Sequence, residues 1–274
     1  YTDTGRSWRP PRARGVDATI DQYPYTASST GINALLPAWA QDGGRDATLT
    51  RLKDPETRAR IKAVVVENIK FDRGGGDPKN VQIASAGFDA TLAGKNLAQI
   101  TAARGVEVTI ENAADTALDI IEKGGASAIF HAINEEDLVR ILRDPNSMIG
   151  SDGEVIRFGA AAPHPRGYGT FVRVLGRYVR ELKVLTLQDA IRKMTSFPAQ
   201  RLGLMDRGLV RPGMKADLVL FDEAEIGDRA TFEKPHQYAV GVKWVLVSGE
   251  VIFDGQAMTA ARPGKILKGP SSDW

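Results

Sequence analysis

The chain contains no cysteine, and among its 274 residues there are only three histidines, His131, His164 and His236. Absence of cysteine excludes disulfides and thiolate metal sites, and it agrees with a reducing, cytoplasmic setting. The three histidines form no His-x-His pair and no i, i+4 pair, so a self-contained histidine metal site is not visible. Long apolar runs are missing as well, none approaching the roughly 20 residues that cross a bilayer. Nor is there a charge excess of either sign: 36 Lys and Arg stand against 34 Asp and Glu, a formal +2. That balance gives no electrostatic footprint for nucleic acid or an anionic membrane, and the local cluster Arg6, Arg9, Arg12, Arg14 reads as a solvated end. What remains is an ordinary globular composition, 42% apolar and 26% charged, enough for one large domain or one domain with an appendage.

The chain opens at Tyr1 without methionine, and Tyr1 to Pro11 resembles neither a signal peptide nor a helix opening, so residues 1–11 are expected to be an irregular cut edge. Arg12 to Gly15 reads as a helix tail with Gly15 at its C′ position, and Val16 to Gln22 alternates as a strand does until Pro24 ends it. A charged helical stretch, Asp46 to Ile69, is interrupted at Asp54-Pro55. Gly74-Gly75-Gly76 lacks the Lys-Ser/Thr of a phosphate loop and reads as a linker before a strand at Val81 to Ala84. Leu97 to Arg104 and Ala113 to Glu122 carry apolar residues at helical spacing, and Gly124-Gly125 stops the second. Ala126 to His131 is a buried-strand candidate. Asn134 is an N-cap with Asp137 at the capping-box position, Met148 to Ser151 is a further strand, helix resumes at Phe171, and another starts at Thr186 and continues past Pro198 to Leu202. From Gly208 onward the chain becomes β-rich, with Ser248-Gly249 as a hairpin turn. Strands alternating with helices before a β appendage predict an α/β fold with (β/α) barrel elements and a second sheet-based lobe.

Chemistry concentrates after the strand at Met148. Ser151-Asp152-Gly153 places an acid at a strand's end, and a Gly- and Pro-rich loop then delivers His164-Pro165-Arg166. A carboxylate there is placed to move protons, and a planar guanidinium is suited to bidentate capture of another carboxylate.

Four segments together resemble the N-acyl-D-amino-acid deacylases, or D-aminoacylases, of the amidohydrolase superfamily: Asp21-Gln-Tyr-Pro-Tyr-Thr-Ala-Ser-Ser-Thr30, Ser151-Asp-Gly153, His164-Pro-Arg-Gly-Tyr-Gly-Thr-Phe171, and Met194-Thr-Ser-Phe-Pro-Ala-Gln-Arg-Leu-Gly-Leu204. Arg211-Pro-Gly-Met-Lys-Ala-Asp-Leu-Val219 adds the wider superfamily's return to a β domain. The resemblance runs from about Arg12 to the end. It implies a distorted (β/α)8 barrel with zinc at the C-terminal mouth of its strands, and hydrolysis of the amide of an N-acyl-D-amino acid. The family's His-x-His pair, cysteine and two later histidines all precede the Asp-Gln-Tyr-Pro-Tyr motif, and none is found here. The chain therefore looks like the C-terminal part, with residues 12–205 as the end of the barrel and residues 206–274 as a β-sandwich-type lobe, needing the N-terminal barrel half as its complement.

By resemblance, Asp152 is the general base toward metal-bound water and then the proton donor to the departing amine, helped by a metal that brings the pKa of that water to about 7. Arg166 takes the substrate's free carboxylate, and Tyr23 and Ser29 match substrate-contacting positions. His164 either lines the mouth or orients its loop. Phe130 either lines the pocket for the D-side chain or is core. Tyr25 reads as a buried ring, His131 as a hydrogen-bonding residue of the barrel mouth, and His236 as part of a loop before the last hairpin. Two other readings stand beside this one: a non-catalytic fragment or complementing half-subunit, and an amidohydrolase of cyclic amides.

Overall fold

A computed structural model describes Gly15 and residues 17–267. The expected cut edge at 1–11 and the helix tail at 12–14 lie outside the described residues; Gly15 itself has φ +77°, as a C′ glycine would.

The elements begin with β1 (Ile20–Gln22), β2 (Ser28–Gly31), α1 (Ala38–Gln41), α2 (Gly44–Lys53) and α3 (Pro55–Phe71). Asp54 separates α2 from α3, its carboxylate accepting from Thr57 N at 2.8 Å while Pro55 occupies the first turn. Next come β3 (Val81–Ser85), α4 (Leu97–Ala103), α5 (Ile110–Lys123), β4 (Ser127–Phe130), α6 (Glu135–Arg143) and β5 (Ser147–Ile149). Asn134 caps α6, accepting from Glu136 N at 2.6 Å, and acids in the first turn with Arg140 and Arg143 in the last complement the helix dipole. Then follow α7 (Arg166–Arg173), continued by the π-helical Val174–Glu181, α8 (Leu187–Met194), α9 (Ser196–Arg201), β6 (Leu218–Phe221), β7 (Val242–Val247) and β8 (Glu250–Phe253).

Three small sheets result. β1 pairs in parallel with β5, Asp21 opposite Met148, which is the pairing expected of barrel strands. β2, β4 and β3 form an antiparallel sheet in that order, so the strand at 127–130 is not a parallel barrel strand. Ala128, Ile129 and Phe130 have no exposure. A strand buried on both faces reads as a continuous apolar run whichever way its neighbours point, so composition does not reveal its direction. β1 is also shorter than the alternation from Val16 suggests. Its partner β5 has three residues, and a ladder extends no further than its shorter strand. The third sheet, β6-β7-β8, is antiparallel and closes on Ser248-Gly249, both at positive φ (51° and 85°) as a two-residue hairpin turn requires. Among the described residues this lobe is one three-stranded layer, and the second layer of a sandwich is not among them.

Among the described residues two large cores, and a small third one of Ala27, Ala84 and Ile129, hold the elements. Ile61, Val65 and Ile69 of α3 meet Leu97 of α4, Leu118 of α5 and Phe130 of β4. The second joins Leu138 and Leu142 of α6, Ile149 of β5, Val174 and Tyr178 after α7, Ala190 of α8, and Ile226, so the segment after β6 returns to the α/β part. Each such side chain contributes roughly 1.5–3 kcal/mol on burial. Lys193 is the unusual member of this region: wholly buried, its Nζ donates to Asp144 O (2.5 Å), Ser147 O (3.1 Å) and Ser147 Oγ (3.0 Å). It ties the end of α6 to the start of β5 and so fixes the strand that leads to Asp152. No helix among the described residues is long and apolar enough to cross a membrane.

Candidate active site

β1 and β5 end side by side, and the chains leaving them carry Tyr23 and Asp152. After β5, Gly150 N–H still donates to Gln22 O of β1 at 3.3 Å, and beyond it Asp152 adopts φ +45°, a left-handed conformation that Asp tolerates better than most residues. Its carboxylate is exposed, with Oδ2 2.9 Å from Nη1 of Arg166.

Arg166 is the first residue of α7, five residues before the start predicted at Phe171. Gly167 and Gly169 hide this helix in the sequence because neither favours helix, but both sit where neighbours approach closely. A Cβ on Gly169 would lie 2.6 Å from Tyr25 Oη, and one on Gly167 would lie 2.8 Å from Ile156 Cδ1. Arg166 is 8% exposed. Its Nη2 donates to Ser29 O at 3.3 Å, and its guanidinium carbon lies 5.3 Å from the centre of the Tyr23 ring. Nη1, although within ion-pair distance of Asp152, is buried and makes no hydrogen bond.

His164 holds this arginine in place. Its Nε2–H donates to Ala27 O at 3.0 Å and its Nδ1 accepts from Arg166 N–H at 3.0 Å. A carbonyl only accepts and an amide N–H only donates, so these partners fix one neutral tautomer. Rings of Tyr25 and Phe232 pack edge-on against it at 5.0 Å each. Burial pushes its pKa down to about 3, with nearby Arg166 adding to the fall and the bond to Ala27 opposing it. Tyr23 is half-buried, and burial raises its phenol pKa against the opposing charge of Arg166, so it remains a protonated donor at neutral pH.

Ser29, His164 and Arg166 border a cavity of about 390 Å³ whose polar wall also includes Ser85, Ser127 and Glu154; Tyr23 and Asp152 are not on that wall and join the group through Arg166. The volume is in the range of small-molecule sites. Asp152, Arg166, Tyr23, Ser29 and His164 are thus brought together. Phe130 is not: it is fully buried in the first core, paired with Ser28 and Val81, and is absent from the cavity wall. As the middle strand of its sheet, β4 turns that ring into the packed interior. His131 lies elsewhere, its Nε2 3.3 Å from Gln82 Oε1 and its ring against Phe232.

Sequence reasoning missed Arg173. Its Nε donates to Pro24 O at 2.8 Å and its Nη1 to Asp228 Oδ2 at 2.9 Å, while its guanidinium covers Tyr25 at 4.9 Å. It binds α7 to the loop that carries Tyr23. Its partners lie 149 and 55 residues away in sequence, and no local pattern announces them.

The donor set does not fit a zinc ion. His164 has both nitrogens engaged, as does His236, which accepts from Tyr168 OH at Nδ1 (2.9 Å) and donates from Nε2 to Ala160 O (3.1 Å). Among the described residues no three His, Asp or Glu side chains converge as metal ligands would.

A profile of the amidohydrolase family matches residues 20–253. The N-acyl-D-glutamate deacylase of Alcaligenes xylosoxydans xylosoxydans is 36% identical over 262 residues, which cover 95% of this chain and 43% of that protein. The D-aminoacylase of the same organism is 40% identical over 177 residues, 64% of this chain and 34% of that protein. Among solved structures, the N-acyl-D-glutamate deacylase of Bordetella bronchiseptica, complexed with zinc and a phosphonate inhibitor that mimics the tetrahedral intermediate, superposes with a TM-score of 0.68. It is 32% identical, over 93% of this chain and 44% of that one. The chain therefore spans less than half the length of these relatives. With the profile match running through both the α/β part and the β lobe, the chain belongs to the amidohydrolase family.

Proposed function

We propose that this chain carries the substrate-clamping and proton-transfer part of an N-acyl-D-amino-acid deacylase, a hydrolase that cleaves a linear amide into a carboxylate and a free D-amino acid. The observation that carries the reading is Arg166: a nearly buried guanidinium, ordered by His164 and Ser29, on the wall of a cavity of substrate size, with Nη1 facing the exposed Asp152 carboxylate outside hydrogen-bond alignment. A free carboxylate bound there completes the fork, and this favours a linear N-acyl amino acid over a cyclic amide. Tyr23, stacked beside Arg166 and protonated at neutral pH, is placed to donate to the oxygen on which charge develops. Asp152 is exposed and adjacent, positioned to take a proton from an attacking water and pass it to the departing amine.

On this reading the chain is the C-terminal part of a (β/α)8 barrel with most of a β-sandwich lobe. β1 and β5 are neighbouring barrel strands, and polypeptide corresponding to the rest of the relatives supplies the metal ligands that the described residues lack. The chain alone is then a binding part without turnover. Calorimetric titration with N-acetyl-D-methionine tests this. Binding is expected for the D enantiomer and to weaken at least about tenfold in Arg166→Met, since a hydrogen bond to a charged group is worth about 1.5–3 kcal/mol. Equal affinity of the two proteins removes the basis of the proposal.

A further inference from the structure

One loop makes the outer wall of the cavity. Between Asp152 and His164 it contributes Glu154, Val155, Ile156, Ala160, Ala161 and Pro163 to the lining. Both ends pass through left-handed backbone at residues other than glycine, Asp152 at φ +45° and Ala161 at φ +60°. Such conformations persist only where surrounding contacts impose them.

Those contacts come from three sides, one of them β3, whose Ala84 O accepts from Ala162 N–H at 2.9 Å. Beneath the loop lies α7: a Cβ on Gly167 would meet Glu154 O at 3.2 Å as well as Ile156 Cδ1, and one on Gly153 would meet Gly167 Cα at 3.1 Å. Outside it lies the segment between β6 and β7. Phe158, at the loop's tip, stacks on Tyr238 with ring centres 5.2 Å apart and planes 25° apart, and meets Tyr168 edge-on at 6.3 Å. His236 Nε2–H reaches Ala160 O at 3.1 Å and Ala161 O at 3.2 Å, while Nδ1 accepts from Tyr168 OH. One imidazole thus joins the loop, α7 and the segment leading to the C-terminal hairpin. Phe158 is 54% exposed and Tyr238 70% exposed, so releasing this contact uncovers little that is not already wet.

We propose that His236 is a positioning residue: with Phe158 and Tyr238 it clasps residues 153–163 shut over the cavity, and through that loop it holds Asp152 at Arg166. This rests on the reading of the cavity as the substrate site. A site that must admit an N-acyl amino acid and then exclude bulk water needs a wall that opens, and the tip of this wall is fastened by exposed rings.

Hydrogen exchange on the 274-residue chain tests the clasp. Two loop amides are suitable reporters, Ala160 N–H, bonded to Arg157 O, and Ala162 N–H, bonded to Ala84 O. His236→Ala and Phe158→Ala are expected to speed exchange in 154–163 by about fivefold or more, as the loss of one or two hydrogen bonds or a ring contact predicts. α5 remains unchanged. His236→Gln, whose amide N–H reaches the same carbonyls, restores most of the protection. The 15N signals of the Arg166 guanidinium shift in His236→Ala and return in His236→Gln. Loop amides that exchange equally in the wild type and both alanine variants overturn the proposal, and so does acceleration of the loop and α5 together. N-acetyl-D-methionine is expected to slow the wild-type loop. Variant effects without that slowing uphold the clasp and count against the cavity as the substrate site.

Discussion

His164 makes the stability of this protein depend on pH in a way that one substitution should erase. In the fold it is 4% exposed and neutral, with Nδ1 accepting from Arg166 N–H and Nε2–H donating to Ala27 O. Burial between Tyr25 and Phe232 disfavours the imidazolium, the Arg166 charge adds to this, and the folded pKa is about 3; protonation would also put a second N–H against the Arg166 amide. An unfolded histidine titrates near 6.5. Below 6.5 the unfolded chain therefore binds a proton that the folded chain refuses. The contribution is fully present above pH 6.5 and is lost as pH falls toward 3. Each pH unit within that window removes about 1.4 kcal/mol, so the whole window removes about 5 kcal/mol, of which about 2 kcal/mol falls between pH 7 and pH 5. That is a large part of the 5–15 kcal/mol that stabilises most domains. Urea unfolding at a series of pH values should show the wild type losing this amount relative to His164→Gln, which does not titrate. The variant is expected to be less stable at pH 7 and to have the flatter profile. Parallel profiles in the two proteins would refute the claim that burial holds His164 neutral.

Other sites give further expectations. Lys193→Met removes the ammonium that donates to Asp144 O, Ser147 O and Ser147 Oγ at the junction of α6 and β5, and thermal unfolding should register a loss of about 2 kcal/mol. Asn134→Ala removes the cap of α6 and should cost about 1 kcal/mol in the same assay. Gly169→Ala drives a methyl group into Tyr25 Oη and Asp228 Cβ, so melting temperature should fall by several degrees, whereas Gly213→Ala, with open space around it but φ +85°, should show only the smaller backbone penalty.

The helices were legible because their signals are local. Asp54-Pro55, Asn134 and Thr186 each cap the helix that the spacing predicts, since a cap and its partner lie within three residues. The hairpin at Ser248-Gly249 was legible for the same reason. The direction of β4 was not, because it depends on which strands flank it, and Ala128-Ile129-Phe130 looks alike in either arrangement. The start of α7 at Arg166 was masked by Gly167 and Gly169, whose reason for being there is packing on residues far away in the chain. Of the candidate site, the charged pair Asp152 and Arg166, which the structure brings to 2.9 Å, was visible in the sequence. The supports were not, because Arg173, Asp228 and Phe232 reach the site only through tertiary contacts. Phe130 shows the limit of composition: an aromatic ring at a strand's end lines a pocket or fills a core according to the sheet's orientation, and here it fills the core.

The division of labour between clamp and metal is tested most directly by adding zinc to the purified 274-residue chain, removing the excess, and measuring bound zinc together with hydrolysis of N-acetyl-D-methionine. Because the imidazoles of His164 and His236 are engaged and no set of metal ligands converges among the described residues, the account predicts far less than one zinc per chain and no turnover. One tightly held zinc per chain accompanied by hydrolysis would contradict it.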